Sequence, residues 1–288
     1  MPEPINENEL TQWAKENNAI IKDGTLVEYK GNAETVSIPY GVTEIGSGAF
    51  VGCSSLTEII IPDSVTKIRS WAVFSGCSSL KQIIIPDGVT EIGIFAFRGC
   101  SSLKEIIIPD SVTIIAGGVF EGCASLEKII IPDGVAKIYG NAFAGCSQLK
   151  EINIPDSVTR IASCAFAGCS SLEEITIPDC VEIESWTFRG CSWLEKITIP
   201  DSVKKIGDGV FAGCSLLEEI IIPNSVKKIG DGAFVNCSSL TEMDIPEDVY
   251  YIGEDAFLNC SNLKKITAPY GLDLENSGLS DQCQINRY

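Results

Sequence analysis

The chain has 288 residues, 45% of them hydrophobic and 21% charged, and its 39 acidic residues against 21 basic ones give a formal net charge of −18. That much apolar material supports a large core, whereas the negative charge repels nucleic-acid phosphates and anionic lipid headgroups and speaks against both as partners. Histidine is absent, which excludes Ser-His-Asp and Cys-His catalysis and removes the commonest metal ligand.

At the N-terminus, Met1–Leu10 is acidic and polar, without the basic and apolar regions of a leader. The expected compartment is the cell surface or the exterior if a leader has been removed, and otherwise the cytoplasm. Leu10, Trp13 and Ala14 fall at i, i+3, i+4 and predict a short helix, and Ile20–Val27 predicts a hairpin turning at Asp23-Gly24. Residues 1–36 are expected to form an N-terminal cap.

From residue 37 to 269 one unit returns ten times: L-x-x-I-x-I, then Pro-Asp, V-x-x-I, a small residue before Phe, and Gly-Cys-Ser. Its prolines run from Pro39 to Pro269 at a period of 23, with one step of 24 after Pro62 and one of 22 after Pro178. A fixed period of this size specifies a solenoid, because one unit cannot bury its own apolar face and stacking its neighbours can. In the unit Leu103–Cys123, Ile106 and Ile108 share the inner face of a short strand, Pro109 ends it, and Asp110-Ser111 turns the chain. Val112 and Ile115 return across the core, and a tight bend brings in Phe120 and Cys123. Stacking aligns Phe50 through Phe257 in one column. The expected fold is a right-handed repeat coil, with parallel β-strands on one face and short strands or helical turns on the other. Residues 270–288 are expected to form the opposite cap, and no apolar run reaches the roughly 20 residues of a membrane span.

The string IPDSVTKI, AF and GCSSL, repeated from about Ser37 to Pro269, resembles the BspA-type leucine-rich repeat of bacterial surface proteins and some protists. Asp23-Gly24-x-Leu26-x-x-Tyr29-x-Gly31 is similar to the stretch that often precedes its first repeat. The resemblance implies a curved, non-enzymatic solenoid used for adhesion and protein recognition, with no catalytic role for its repeat residues.

Several columns carry possible chemistry. Ten of the 13 cysteines, from Cys53 to Cys260, share one repeat position and are expected to be small buried thiols. Cys164, Cys180 and Cys283 lie outside that column and are the more reactive candidates. The Asp column after the prolines, such as Asp87 and Asp110, could line up carboxylates for calcium, but turn formation explains it more cheaply. No metal or cofactor is expected. The two off-period units each bring a tryptophan, Trp71 and Trp186, expected to fill the gap left by the altered turn, the other reading being an exposed anchor for a partner.

On the outward side of the main strands, Ile60, Ile84, Ile107 and Ile130 are consecutive, with Glu58, Gln82, Glu105 and Lys128 as a polar rim. β-propensity accounts for such residues on either face; the functional reading is a protein-contact stripe. A second candidate is the basic-aromatic run Arg160, Lys204, Lys227 and Tyr250, which could receive an acidic partner or sugar or could be a solvated face. The resulting expectation is a non-enzymatic recognition and adhesion module that binds a protein ligand, a host or matrix component, through its strand face. The alternative is a spacer or self-associating module, as a homodimer, in a larger surface assembly.

Overall fold

The Pro-terminated apolar strands are only three or four residues long, so they hold their place by pairing with their counterparts in the turns before and after. In the computed structural model, which describes residues 6–179 and 182–288, these strands form one parallel ladder along the solenoid. Eight of them, from Thr35–Ser37 to Lys196–Thr198, make a continuous sheet. Their register places equivalent residues side by side: Val36 on Ile59, Ile59 on Ile83, Ile106 on Ile129 and Ile152 on Ile175. All of these point inward and are at most 5% exposed. Thr198 continues to Ile221 through a single bridge. Glu242–Asp244, Lys265–Ala268 and Gln284–Arg287 then close the ladder as a three-stranded sheet. The last strand lies beyond Pro269, where the repeat signature has faded.

A second ladder is built from the V-x-x-I segments. Leu26, Ile45, Ile68 and Ile92 stack inside its first stretch, Ile115, Ile138, Ile161 and Ile183 inside the next, and Ile206, Ile229 and Ile252 inside the last. The third side consists of tight turns bearing the phenylalanines. There the backbone N–H of each Phe donates to the following turn, as Phe120 does to Ala142 (2.9 Å) and Phe143 to Ala165 (2.8 Å). The rings from Phe50 to Phe257 form an unbroken stack, with centroids 5.3–5.9 Å apart. Tyr29 heads it, 5.1 Å from Phe50.

From Cys77 to Cys260 the cysteine column is buried, and each of these thiols also donates to the Phe carbonyl of the preceding turn, for example Cys146 to Phe120 and Cys169 to Phe143, both at 3.2 Å. These carbonyls already accept a backbone N–H, so the thiol takes up the second lone pair. The residue before each cysteine of the column has a left-handed backbone, glycine from Gly52 to Gly213 and then Asn236 and Asn259, and a Cβ on Gly145 would lie 3.6 Å from the Cα of Gly122. That contact keeps successive turns close.

The ends and irregularities follow the local chemistry. Asn6 and Glu9 form a reciprocal capping box at the start of the helix Glu7–Glu16, whose Leu10 and Trp13 pack on the core. The hairpin of Ala19–Lys22 with Thr25–Tyr29 turns at Asp23 (φ +48°) and Gly24 (φ +73°), and its second strand is the first rung of the second ladder. The extra residue of the 24-residue unit becomes a bulge: Ile68 pairs with Ile92 but Trp71 pairs with Ile94, three residues against two. The bulge also places Arg69 on the nearly buried Glu44 carboxylate, bound through both Nε and Nη2.

Trp71 does not fill a gap, whereas the Trp186 ring lies against Gly209 of the next turn, where an added Cβ would come within 2.1 Å of it. Trp71 is 58% exposed, edge-on to Phe95, and Trp186 is 37% exposed, with Arg189 stacked 5.5 Å from its ring centroid. At Trp71 the inserted residue is absorbed as a bulge, which turns the ring outward and leaves no void to occupy.

Candidate functional site

The main sheet has one buried and one exposed face, and alternation along each three-residue strand decides which residues face out. Ile60, Ile84, Ile107 and Ile130 are 51, 81, 74 and 62% exposed, while their neighbours Ile59, Ile83, Ile106 and Ile129 lie in the core. Register makes the four a single line, Ile60 paired with Ile84, Ile84 with Ile107 and Ile107 with Ile130. Ser37 precedes the line and Asn153, Thr176 and Thr198 continue it. Glu58, Gln82, Glu105 and Lys128 occupy the parallel line two residues earlier on the same face, Glu58 half-buried and the others exposed. All eight proposed contact residues therefore lie on one surface.

The second candidate is divided. Lys204, Lys227 and Tyr250 lie on successive turns, the Lys227 N–H donating to the Lys204 carbonyl (2.9 Å) and the Tyr250 N–H to that of Lys227 (3.1 Å). Lys227 Nζ is held 2.6 Å from Asp248, and Lys228 Nζ sits 5.3 Å from the Tyr250 ring centroid. Arg160 belongs to an earlier stretch of the second ladder, where its Nε donates to Glu184 Oε1 at 2.7 Å. Carboxylates thus neutralise much of what reads as a basic run along the chain.

Burial pushes the Glu184 carboxyl upward, but hydrogen bonds from Arg160 and from the Ser163 hydroxyl and backbone N–H outweigh it and hold the group below its ordinary 4.5. A depressed carboxyl in the folded state contributes stability above its unfolded value, and that contribution is lost as pH falls through the folded value. Denaturant titrations from neutral to acid pH should therefore show a loss of stability below pH 4.5 that is smaller in Glu184→Gln. Identical pH profiles would contradict the role of this pair.

Burial raises Cys164 and Cys283, both half-buried, above the ordinary thiol value, although Arg189 opposes it at Cys164. Both are nonetheless more accessible than the buried thiols of the column from Cys77 to Cys260. Cys180 lies outside the described residues. In the column, Cys123, Cys169 and Cys214 are pushed up to about 12 by burial.

One feature of the opposite face escapes the repeat pattern. The residue two before each Phe of the column is left-handed throughout and mostly small or polar (Gly, Asn, Asp, Ala or Cys), yet Phe95 (φ +57°) and Trp186 (φ +63°) stand there, each capped by an arginine three residues on. The signal was an aromatic residue where the other turns carry a small or polar one. A left-handed position is invisible in one turn; only comparing all ten would have marked it.

The family model for the BspA type leucine rich repeat region matches residues 21–150, 72–194 and 181–287, nearly the whole chain. The chain belongs to the BspA-type leucine-rich repeat family. No curated protein matches it. Among solved structures, a leucine-rich repeat protein from Bacteroides ovatus is 27% identical, with 94% of this chain and 90% of that one covered and a TM-score of 0.55. A leucine rich cell surface protein from Faecalibacterium prausnitzii is 29% identical over 93% and 92%, with a TM-score of 0.57. The pneumococcal vaccine antigen PcpA shares the fold at 22% identity, 94% and 85% coverage and a TM-score of 0.58. BspA-type solenoids are generally non-enzymatic scaffolds with protein-interaction or surface-repeat roles, and typically bacterial surface proteins. Among the described residues no helix is long and apolar enough to cross a membrane.

Proposed function

We infer that this BspA-type solenoid is a non-enzymatic recognition and adhesion module, placed at the cell surface or outside it, that holds a protein ligand of host or matrix origin against its main strand face. The observation that carries this reading is the unbroken line of four isoleucines, 51–81% exposed and in register on one sheet. β-propensity explains a single β-branched residue on a solvent face. It leaves unexplained why four consecutive turns choose the most apolar option where the next three choose Asn and Thr. The leucine rich cell surface protein of Faecalibacterium prausnitzii supports the compartment.

The test is a pair of outward charges. Ile84→Asp with Ile107→Asp should lower binding to immobilised matrix protein fractions by at least about a hundredfold, as the loss of a central apolar contact does. Melting should change little, because both side chains already stand in water. Binding that survives in the folded double variant would reject this face.

A further inference from the structure

The strand face changes chemistry half-way along its length. Over its first half the outward line is isoleucine and the flanking charges balance, Glu58 and Glu105 against Lys81 and Lys104. From Glu151–Asn153 onward the line becomes Asn153, Thr176 and Thr198, and it returns to isoleucine only at the isolated, exposed Ile221. The turns there carry Glu151, Glu173, Glu174, Glu195, Glu218 and Glu219, all exposed, against only Lys150 and Lys196. None of the six glutamates forms a salt bridge among the described residues. Two shallow depressions of about 450 and 510 Å³ join the halves, one walled by Ile130, Asn153 and Thr176, the other by Glu127, Glu151 and Glu173.

We propose that the ligand presents to this face an amphipathic helix whose apolar stripe runs into a basic patch, the apolar part lying along Ile60 to Ile130 and the basic part over the glutamates from Glu151 to Glu219. This rests on the docking face inferred above and specifies its partner. Spacing selects the helix. Rungs of a sheet are about 4.8 Å apart, so the four isoleucines span ~14 Å; apolar residues at i, i+4, i+7 and i+11 of a helix span ~16 Å, whereas four alternate residues of an extended strand span ~20 Å and fall out of step. Charge selects the basic extension. The unpaired carboxylates give a local field that attracts Lys and Arg and is screened by salt over about 10 Å at 0.1 M. Full-length pairing with a second copy satisfies neither half. Parallel copies would set glutamates against glutamates, and antiparallel copies would set them against isoleucines.

The experiment uses the full chain and two labelled synthetic helices. Both carry leucines at the stated spacing, and they continue on the same face with lysines in one and glutamates in the other. Fluorescence anisotropy should show the lysine peptide binding at least about tenfold more tightly than the glutamate peptide, with the preference shrinking at high salt. Glu173→Gln with Glu174→Gln should weaken the lysine peptide about fivefold or more, whereas the distant pair Glu275→Gln and Asp281→Asn should not. Equal binding of the two peptides, or no effect of the 173/174 pair while Ile84→Asp with Ile107→Asp abolishes binding, overturns the bipartite partner and leaves the isoleucine face standing. Retention of the lysine peptide by the double aspartate variant overturns the face itself. A dimer in sedimentation that dissociates on those aspartates assigns the face to a second copy and overturns the proposal.

Discussion

Truncating Phe143 to alanine is expected to cost about 3–5 kcal/mol of folding stability, the range for removing a fully buried aromatic ring. The ring is 0% exposed and is clasped between Phe120 at 5.5 Å and Phe166 at 5.3 Å, so its removal opens a hole that neither neighbour can fill without leaving its own stack. Each turn depends on the next for burial, and the loss therefore weakens the coupling between the two halves of the coil as well as the local core. Urea denaturation followed by circular dichroism should show a lower midpoint for Phe143→Ala and a smaller shift for Phe143→Leu. A loss below about 1 kcal/mol would mean that the column is not the spine of the fold.

The second large effect concerns the left-handed turn. A Cβ on Gly118, at φ +57°, would lie 2.2–2.3 Å from the Phe95 ring, which folds down onto the glycine of the following turn. Gly118→Ala should therefore destabilise by roughly 2–4 kcal/mol, combining the left-handed penalty with displacement of the ring. Gly232 is an internal comparison: its φ is +56°, but a Cβ there would meet nothing closer than Val235 at 3.5 Å. Gly232→Ala should cost only about 1–2 kcal/mol. In a Phe95→Gly background the cost of Gly118→Ala should fall to that of Gly232→Ala, because the two sites couple through direct contact. Additive costs in this double-mutant cycle would show that the ring does not lean on the glycine.

The repeat period made the coil, the aromatic spine and the outward isoleucines legible, because each depends on recurrence and two-residue alternation alone. The ring stack at 5.5 Å between Phe120 and Phe143 is the direct expression of a 23-residue repeat. Legibility failed where the answer depends on what a neighbouring turn does with its backbone. Trp71 was expected to fill a gap, but the inserted residue became a bulge and turned the ring to water. The cysteines were legible as buried thiols, whereas their bonds to the Phe carbonyls of the preceding turn required knowing how far one rung is offset from the next. Arg160 and Lys227 looked like one basic run; their partners Glu184 and Asp248 lie 24 and 21 residues away in sequence and one turn away in space.

Whether the strand face is the docking surface is tested most directly by hydrogen exchange of the chain with and without a matrix protein ligand that it retains. Binding should slow exchange in the strands Glu58–Ile60, Gln82–Ile84, Glu105–Ile107 and Lys128–Ile130, and leave the second ladder from Ile114–Ile115 to Arg160–Ile161 unchanged. Protection confined to the second ladder, with those four strands exchanging as in the free chain, would contradict the account.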